Sequence, residues 1–227
     1  MKSATIVFTG QQKCEVVEEQ VSNPSPDDVL VHTVVSLTST GTESFCYRGV
    51  FDTGTGWSNW VNYPFYPGYS AVGEITEVGS NVSSLKVGDR VYTGANHKEY
   101  HLTRPENVVR LPDNVSCEAA AWSTLATITQ TVVRRAEHAM GDTAVVIGLG
   151  PLGQLVTQYL RTIGLGDILV IDYSNVWQPQ LDSALQQLLT VWLQTQVILC
   201  LNRQKGNWLT WYMTSPDTGK CFQQPCR

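Results

Sequence analysis

Charged residues and long apolar runs are both scarce in this chain. Of its 227 residues, 15% are charged, against roughly 25% in ordinary globular domains, and the formal net charge is −5. Low charge with an acidic balance argues against a polyphosphate-binding surface, and hence against a nucleic-acid partner, and also against a disordered polar chain. No apolar run approaches the ~20 residues of a membrane helix. We therefore expect neither a membrane partner nor a signal peptide.

Closely spaced cysteines are also missing. The six cysteines show no Cys-x-x-Cys pair, and they lie at Cys14, Cys46, Cys117, Cys200, Cys221 and Cys226. A structural zinc site needs clustered thiolates, and a disulfide scaffold is shorter and richer in cysteine. The pattern favours reduced, mostly buried thiols and a cytoplasmic protein.

Glutamate is absent from residues 176–227, although the length of the chain alone suggests one or two ordinary domains. The same segment holds 4 of the 7 tryptophans, 3 of the 6 cysteines and only 2 of the 18 glycines. Linkers are rich in Gly, Ser, Pro and charge, so this composition resembles neither a linker nor an ordinary core. It marks a boundary near residue 175.

Before that boundary, about the first 120 residues alternate between strand patterns and turn chemistry. The strand-like runs are MKSATIVFTG (1–10), VLVHTVVSL (29–37), AVGEITEVG (71–79) and DRVYTG (89–94). Many short strands separated by Gly and Pro turns predict a partly closed β barrel. Helix-compatible residues then run from Cys117 to His138, with Ser116 as N-cap and Glu118 in the first turn.

A glycine motif follows a short apolar run, Thr143 to Ile147, which is a strand candidate. The motif is Gly148-Leu149-Gly150-Pro151-Leu152-Gly153. Its first glycine allows a tight turn, its second lets the backbone approach a pyrophosphate, and its third lets helix and strand pack closely. A helical segment ending at Gly164 comes next, so the motif has the strand–loop–helix context that it requires.

A second apolar run, Ile168 to Ile171, ends in Asp172, about 20 residues after the last glycine of the motif. A carboxylate at this place accepts a hydrogen bond from the 2′-hydroxyl of a nucleotide ribose. It repels a 2′-phosphate, and no arginine follows immediately, so NAD is favoured over NADP. The glycine loop and Asp172 are the predicted cofactor-binding residues.

Four motifs in order along residues 1 to 175 resemble the medium-chain dehydrogenase/reductase superfamily of alcohol dehydrogenase-like proteins. Three are Pro26-Asp27-Asp28-Val29-Leu30-Val31, Pro67-Gly68-Tyr69-Ser70-Ala71-Val72-Gly73-Glu74-Ile75 and Val87-Gly88-Asp89-Arg90-Val91, and the fourth is the glycine loop. A further segment, Ser36-Leu37-Thr38-Ser39-Thr40-Gly41-Thr42-Glu43, resembles the bacterial bi-domain oxidoreductases and bacteriochlorophyllide dehydrogenase-like proteins.

The resemblance implies an α/β protein in three parts. Residues 1–130 form an N-terminal GroES-like β barrel, and residues 131–175 form an incomplete Rossmann domain that holds the first βαβ unit. Residues 176–227 are an aberrant tail, so the chain is expected to be C-terminally truncated. Full-length relatives are expected to be homo-oligomers that act on a small alcohol or carbonyl.

Zinc-dependent members of the superfamily carry metal ligands at three positions that are occupied here by Thr40, Tyr69 and Ser70. Hydroxyl and phenol groups are poor zinc ligands beside thiolate and imidazole, so no zinc is predicted. Cys46 is expected to be a packed thiol. The four-cysteine structural zinc lobe is also missing from the sequence.

Without zinc, hydrogen-bond donors would have to polarise the substrate oxygen. Thr42 matches the proton-relay hydroxyl of the superfamily, and Tyr69 occupies a vacated ligand position, so these two are the catalytic candidates. The alternatives are that Thr42 only satisfies a turn and that Tyr69 only fills space. His97 and His101 are expected in a solvated loop, and His32 as a structural residue on a strand.

Five aromatic residues cluster before the Pro67-Gly68 turn: Trp57, Trp60, Tyr63, Phe65 and Tyr66. Such a cluster could line a substrate cleft, but in a β domain it is more often core or interface. We therefore expect it to be core or interface.

The tail has the properties of a sequence read in a shifted frame. One base of shift turns Trp211-Tyr212 into valine and Met213-Thr214 into aspartate, and it turns Trp208-Leu209 into alanine when the leucine codon is CTN. The run that this frame permits resembles a later strand of the superfamily. A second stretch, from Asn175 to Leu185, permits a family-like helix in the same frame. A genuine alternative C-terminus and a natively evolved small domain are the other interpretations.

Two functions from different classes remain open. The first is an NAD(P)-dependent oxidoreductase that moves hydride between nicotinamide and an alcohol or carbonyl, with this chain inactive or impaired. Two parallel strands alone leave edges and faces uncovered, so poor stability and little turnover are expected. The second is a non-enzymatic GroES-like binding module with a vestigial nucleotide loop.

Overall fold

The structure, a computed structural model, describes residues 1–171, 199–204, 207–214 and 221–225. The chain divides into two compact units, Met1–Thr124 and Leu125–Arg227. Each unit is described by itself below.

The first unit contains a hairpin and a five-stranded antiparallel sheet. The hairpin joins β1 (Lys2–Gly10) to β2 (Lys13–Gln20). The sheet strands are β3 (Val29–Ser36), β4 (Ala71–Val78), β5 (Arg90–Thr93), β6 (Tyr100–Thr103) and β7 (Val108–Arg110). Their order across the sheet is β6-β3-β4-β5-β7. The strands predicted at residues 1–10, 29–37, 71–79 and 89–94 are therefore confirmed.

Backbone bridges connect the hairpin to segments beside the sheet. The amide of Ile6 donates to the carbonyl of His97 at 2.9 Å, and Phe8 and Phe65 exchange two hydrogen bonds of 2.8 and 2.9 Å. These bonds wrap the hairpin around one side of the core, in agreement with the expected partly closed barrel. The sheet core is formed by fully buried apolar side chains of three strands, Val29, Val31, Ile75 and Val91.

The Val87–Val91 motif forms a turn and holds the loop that follows β7 by hydrogen bonds. Gly88 has a φ of 88°, and the buried Asp89 accepts a hydrogen bond from the amide of Lys86 at 3.0 Å. Arg90 donates to three carbonyls of the following loop, those of Pro112, Asp113 and Val115. The motif therefore ties β5 to the segment that leads into the helices.

The helices that begin in the first unit are α1 (Thr42–Arg48), α2 (Gly56–Trp60), α3 (Cys117–Ala120) and α4 (Ser123–Arg135). The predicted cap is confirmed, because the Ser116 hydroxyl accepts from the amide of Ala119 at 3.1 Å. The helix-compatible stretch from Cys117 to His138 forms two helices, because α3 ends at Ala120 and α4 runs from Ser123 to Arg135. Between the two helices, the carbonyl of Ala121 accepts a 2.6 Å hydrogen bond from the Ser70 hydroxyl.

The second unit contains the parallel pair β8 (Thr143–Ile147) and β9 (Ile168–Ile171), joined by α5 (Pro151–Thr162). These bounds confirm the predicted strand–loop–helix–strand unit. Its core is formed by buried side chains of α4, β8, α5 and the turn before β9, namely Val133, Ala144, Val146, Val156, Leu160 and Leu165.

Three further strands extend this sheet: β10 (Leu199–Gln204), β11 (Asn207–Thr214) and β12 (Cys221–Pro225). The order is β12-β11-β10-β8-β9, and β10 runs antiparallel to β8. The expectation of an uncovered two-stranded sheet is therefore wrong, because β10 pairs with the backbone groups that the edge of β8 offers. Within the described residues, no helix has the length and apolar character needed to cross a membrane.

Candidate functional site

The glycine loop in the second unit begins with a tight turn. Gly148 has a φ of 94°, a conformation that glycine adopts without strain, and its amide donates to the carbonyl of Ile171 at 2.7 Å. The chain therefore turns sharply at the end of β8 while it stays attached to the end of β9. The predicted tight turn at Gly148 is confirmed.

The other two glycines of the loop differ in what surrounds them. A Cβ placed on Gly153 would lie 1.8 Å from the carbonyl oxygen of Gly148, so only glycine permits the approach of α5 to the turn. A Cβ placed on Gly150 meets nothing within 4 Å, so the backbone there faces open space. The close packing predicted for Gly153 is therefore confirmed, and Gly150 leaves room for a ligand against the backbone.

The N-terminus of α5 follows directly from this loop. Gly150 is the N-cap residue and supplies no side-chain cap, while Pro151 and Leu152 begin the helix. The side chain of Gln154 turns back and donates to the carbonyl of Leu149 at 2.9 Å, which fixes the loop. The partial positive charge of the helix end is thus presented at an open backbone surface. Asp172 lies outside the described residues.

The two catalytic candidates, Thr42 and Tyr69, lie in the first unit, and the glycine loop lies in the second. Thr42 is the first residue of α1 and is half-buried. Tyr69 is half-buried between the Pro67-Gly68 turn and β4, and its carbonyl accepts from the Thr124 hydroxyl at 3.1 Å.

A hydrogen-bonded chain of three side chains lies in the same unit as both candidates. His97 Nε2 is 2.7 Å from Oε2 of Glu43, and His97 Nδ1 is 2.8 Å from the hydroxyl oxygen of Ser36. His97 is 6% exposed and Glu43 is 4% exposed. We refer to Ser36, His97 and Glu43 as the histidine network. The expectation that His97 lies in a solvated loop is wrong, because its ring is buried against a carboxylate.

The other carboxylate oxygen of Glu43 also accepts a hydrogen bond. Its Oε1 accepts a 2.8 Å hydrogen bond from the amide of Ser39, and its own amide donates to the carbonyl of Ser39 at 3.0 Å. This reciprocal pair fixes the carboxylate at the start of α1, next to Thr42. Ser36, Ser39 and Glu43 all belong to the Ser-x-x-Ser-x-Gly-Thr-Glu segment, so the motif was visible in the sequence, whereas nothing in the sequence singled out His97 as its partner.

The segment before β6 also holds the turn that carries Tyr69. The amide of His97 donates to the carbonyl of Pro67 at 3.0 Å, and the Asn96 side chain donates to the carbonyls of Tyr66 and Gly68 at 2.7 and 3.0 Å. The amide of Leu37, the residue after Ser36, donates to the carbonyl of Ser70 at 2.9 Å. The structure therefore brings the segments of Thr42 and Tyr69 together around the histidine network.

His101 and His32 have different environments. The expectation of a solvated loop is wrong for His101 too, because it lies on β6, is 6% exposed, and neither ring nitrogen has a partner among the described residues. Burial, with a smaller contribution from Lys98, lowers its pKa from 6.5 to about 4. His32 lies on β3, and its ring stacks on Tyr100 with centroids 4.6 Å apart, as expected for a structural histidine.

The aromatic cluster packs as a core around Trp57. The Trp57 ring is buried, lies 4.9 Å from that of Phe45, and shares a cluster with Phe8 and Cys46. Trp60 packs on Trp57 at 5.5 Å but is 54% exposed. Cys46 is fully buried, and burial, followed by the Glu43 charge, raises its pKa to about 11. The expected packed thiol is confirmed.

The residues at the positions of the superfamily's zinc ligands do not form a metal-binding group. The hydroxyl of the buried Ser70 donates to the carbonyl of Ala121, and Thr40 is exposed. Among the residues that the structure describes, no group of three His, Cys, Asp or Glu side chains is arranged to hold a metal ion. The donor set at these positions does not fit zinc.

Residues 25–141 match the family described as "Alcohol dehydrogenase GroES-like domain". The (R,R)-butanediol dehydrogenase of Bacillus subtilis is 30% identical over 129 residues, which is 45% of this chain and 37% of that protein. The alcohol dehydrogenase of Geobacillus stearothermophilus is 31% identical over 131 residues, 44% of this chain and 39% of that protein. The chain thus matches only about two fifths of the length of these relatives.

Solved structures show the same fold. The crystal structure of 2R,3R-butanediol dehydrogenase from Bacillus subtilis superposes with a TM-score of 0.66 at 20% identity, covering 83% of this chain and 67% of that one.

Proposed function

Because this chain belongs to the alcohol dehydrogenase GroES-like domain family of the medium-chain dehydrogenase/reductase superfamily, we propose that it is an NAD-linked oxidoreductase. The reaction is hydride transfer between a nicotinamide and a small alcohol or carbonyl. Relatives named butanediol and alcohol dehydrogenase support this substrate class. The main support is the glycine loop, in which the backbone at Gly150 faces open space and Gly153 packs tightly against Gly148.

The cofactor fits this loop by its chemistry. The backbone from Gly148 to Gly153 and the first turn of α5 would hold the pyrophosphate, and Asp172 would accept from the ribose 2′-hydroxyl. A bound nicotinamide supplies the two-electron hydride chemistry. Asp172 also favours NAD over NADP, because a carboxylate repels the 2′-phosphate.

The chain's own groups handle the substrate oxygen without zinc. Ser70 has committed its hydroxyl to the backbone, and Thr40 and Tyr69 offer hydroxyl groups that are poor zinc ligands. The hydroxyls of Thr42 and Tyr69 orient the substrate oxygen and hold its proton in this proposal. Cytoplasmic location is part of the proposal, supported by the free thiols of Cys14, Cys46 and Cys117.

Calorimetric titration with NADH and, in parallel, NADPH tests the proposal. Micromolar binding of NADH with weaker binding of NADPH is the expected result. Absence of binding for both would overturn the proposal and favour a non-enzymatic GroES-like module. Equal binding of both would remove the role given to Asp172.

Turnover is tested separately by following NADH oxidation with small carbonyls. We expect a low rate, because hydroxyl groups in place of zinc polarise the substrate oxygen in this proposal. Turnover comparable to that of a zinc-dependent dehydrogenase would contradict this expectation.

A further inference from the structure

We propose that the histidine network, Ser36, His97 and Glu43, is a proton relay that serves the acid–base half of the reaction proposed above. The inference therefore rests on the proposed function. Hydride removal from an alcohol carbon leaves a hydroxyl proton that must go to a base. The hydroxyls of Thr42 and Tyr69 are weak bases at neutral pH. A histidine held by a carboxylate is the group best equipped to receive that proton.

The geometry determines which ring nitrogen carries hydrogen. An ionised Glu43 can only accept, so His97 Nε2, at 2.7 Å from Oε2, must donate to it. In the neutral ring Nδ1 is then the acceptor, and the Ser36 hydroxyl, at 2.8 Å, must donate to it. The Glu43 carboxylate thus orients the imidazole, and the imidazole accepts a hydrogen bond from the Ser36 hydroxyl. The ring nitrogens are used in the opposite sense to the Ser-His-Asp triad of hydrolases.

The relay has a buried end and an accessible end. Glu43 and His97 are 4% and 6% exposed, whereas Ser36 is half-buried and is the only member with access to the surface. Thr42 adjoins Glu43 in sequence, and the carbonyl of Ser70, next to Tyr69, is bonded to the residue after Ser36. Ser36 therefore lies in a strand that is bonded to the segment carrying Tyr69, and Glu43 lies in the segment carrying Thr42.

The proton balance is simple. In alcohol oxidation, the substrate O–H bond breaks and its proton passes to Ser36 Oγ while the Ser36 proton passes to His97 Nδ1. A bound nicotinamide would accept the electron pair from the substrate carbon as hydride and would be the two-electron oxidant. His97 becomes an imidazolium beside the Glu43 carboxylate. It later returns a proton to Ser36 Oγ while the Ser36 hydroxyl proton passes to water. Carbonyl reduction runs through the same steps in reverse.

Labelling with a fluorophosphonate tests the relay on the full chain without turnover. Ser36 Oγ forms a bond to phosphorus, fluoride leaves, and the serine proton passes to His97. We expect Ser36 to be labelled, and we expect the rate to fall by about 100-fold or more in His97→Gln and Glu43→Gln, the range of general-base contributions. Ser44, an exposed serine on α1, is the matched control and should stay unlabelled. Equal labelling of Ser36 and Ser44, or unchanged rates in both variants, would overturn the relay.

The ring tautomer gives a second readout by ¹⁵N NMR. The wild-type ring should carry hydrogen on Nε2. The Glu43→Gln ring should carry it on Nδ1, because the one amide oxygen accepts from the Ser39 amide and the NH2 group then donates to Nε2. A fold that is retained in Glu43→Gln, with the same tautomer as wild type, would contradict the mechanism. NADH titration reads the second unit, so loss of NADH binding would overturn the proposed function while the labelling and the tautomer still decide the relay.

Discussion

Individual side chains in the first unit have environments that their sequence neighbours do not indicate. His97 and His101 lie four positions apart in similar polar surroundings, yet one has a partner for both nitrogens and the other has none among the described residues. A buried polar group without a partner is costly, and one with charged or hydroxyl partners is stabilised. The two residues should therefore respond differently to substitution.

The His101→Leu variant should lose the part of the acid sensitivity that His101 causes. Burial lowers the folded-state pKa of His101 to about 4, below the unfolded value of 6.5. As pH falls from 6.5 toward 4, the unfolded state binds a proton that the folded state does not, so unfolding free energy is lost over this range. Between about pH 7.5 and about pH 5, wild type should lose about 2 kcal/mol more unfolding free energy than the variant. Urea denaturation at both pH values measures the difference. Equal acid sensitivity of the two proteins would contradict the assignment.

The Cys46 thiol should be unreactive in the folded protein. It is fully buried and its pKa is raised to about 11, so it stays protonated at neutral pH, whereas Cys14 is exposed. Alkylation with iodoacetamide followed by peptide mass spectrometry should modify Cys14 rapidly and Cys46 only after denaturation. Comparable rates for the two cysteines in the native protein would show that the Cys46 site opens.

At the scale of elements, the glycine loop joins β8, α5 and β9, and its three glycines differ in how well they tolerate a side chain. Gly148 requires a positive φ, Gly153 requires the absence of a side chain, and Gly150 requires neither for folding. The loop therefore separates structural glycines from one whose role is only to leave space. This difference provides a matched pair of variants.

Gly150→Ala should keep the fold and weaken NADH binding, because the added Cβ meets nothing within 4 Å in the protein but occupies the space given to the pyrophosphate. Gly153→Ala should destabilise the second unit itself, because its Cβ would lie 1.8 Å from the Gly148 carbonyl oxygen. Circular dichroism and NADH calorimetry on both variants separate these effects. Wild-type affinity in a folded Gly150→Ala protein would show that the cofactor does not lie against this backbone.

At the scale of the whole molecule, the chain consists of two units, and the proposed cofactor loop belongs to the second. A ligand that binds only the folded state stabilises it by mass action. At about 100 times the dissociation constant, NADH should raise the apparent unfolding free energy of the second unit by about 2.7 kcal/mol.

Amide hydrogen exchange measures this stabilisation strand by strand, and the protection should appear at β8, α5 and β9. Gly150→Ala is the control and should show a smaller effect at the same NADH concentration. Protection confined to the first unit would place the ligand elsewhere.

The tail beyond residue 175 poses a question at the same scale. The backbone of β10 pairs with β8 in an antiparallel sense, in place of the further parallel strands that a complete Rossmann domain contains. The shifted-frame hypothesis concerns residues that lie largely outside the described part of the chain. The genomic nucleotide sequence tests it: a dehydrogenase-like continuation in the shifted frame is expected, and early stop codons there would exclude it.

The sequence by itself determined the elements and the family. Strand alternation, the Ser116 cap and the glycine spacing depend on neighbours along the chain, so the bounds of β8 and β9 and the turn at Gly148 followed from local pattern. The order of four motifs was enough to identify the superfamily, which the match over residues 25–141 confirms.

Only the tertiary structure decided the histidine network and the break between α3 and α4. Ser36 and Glu43 meet His97 because β3, α1 and the segment before β6 fold against one another, over separations of 61 and 54 positions in the chain. At the break between the helices, the carbonyl of Ala121 accepts a hydrogen bond from Ser70, which is 51 positions away. Partners this distant leave no periodic signal in a single sequence, because burial and hydrogen bonding there are properties of the packed fold.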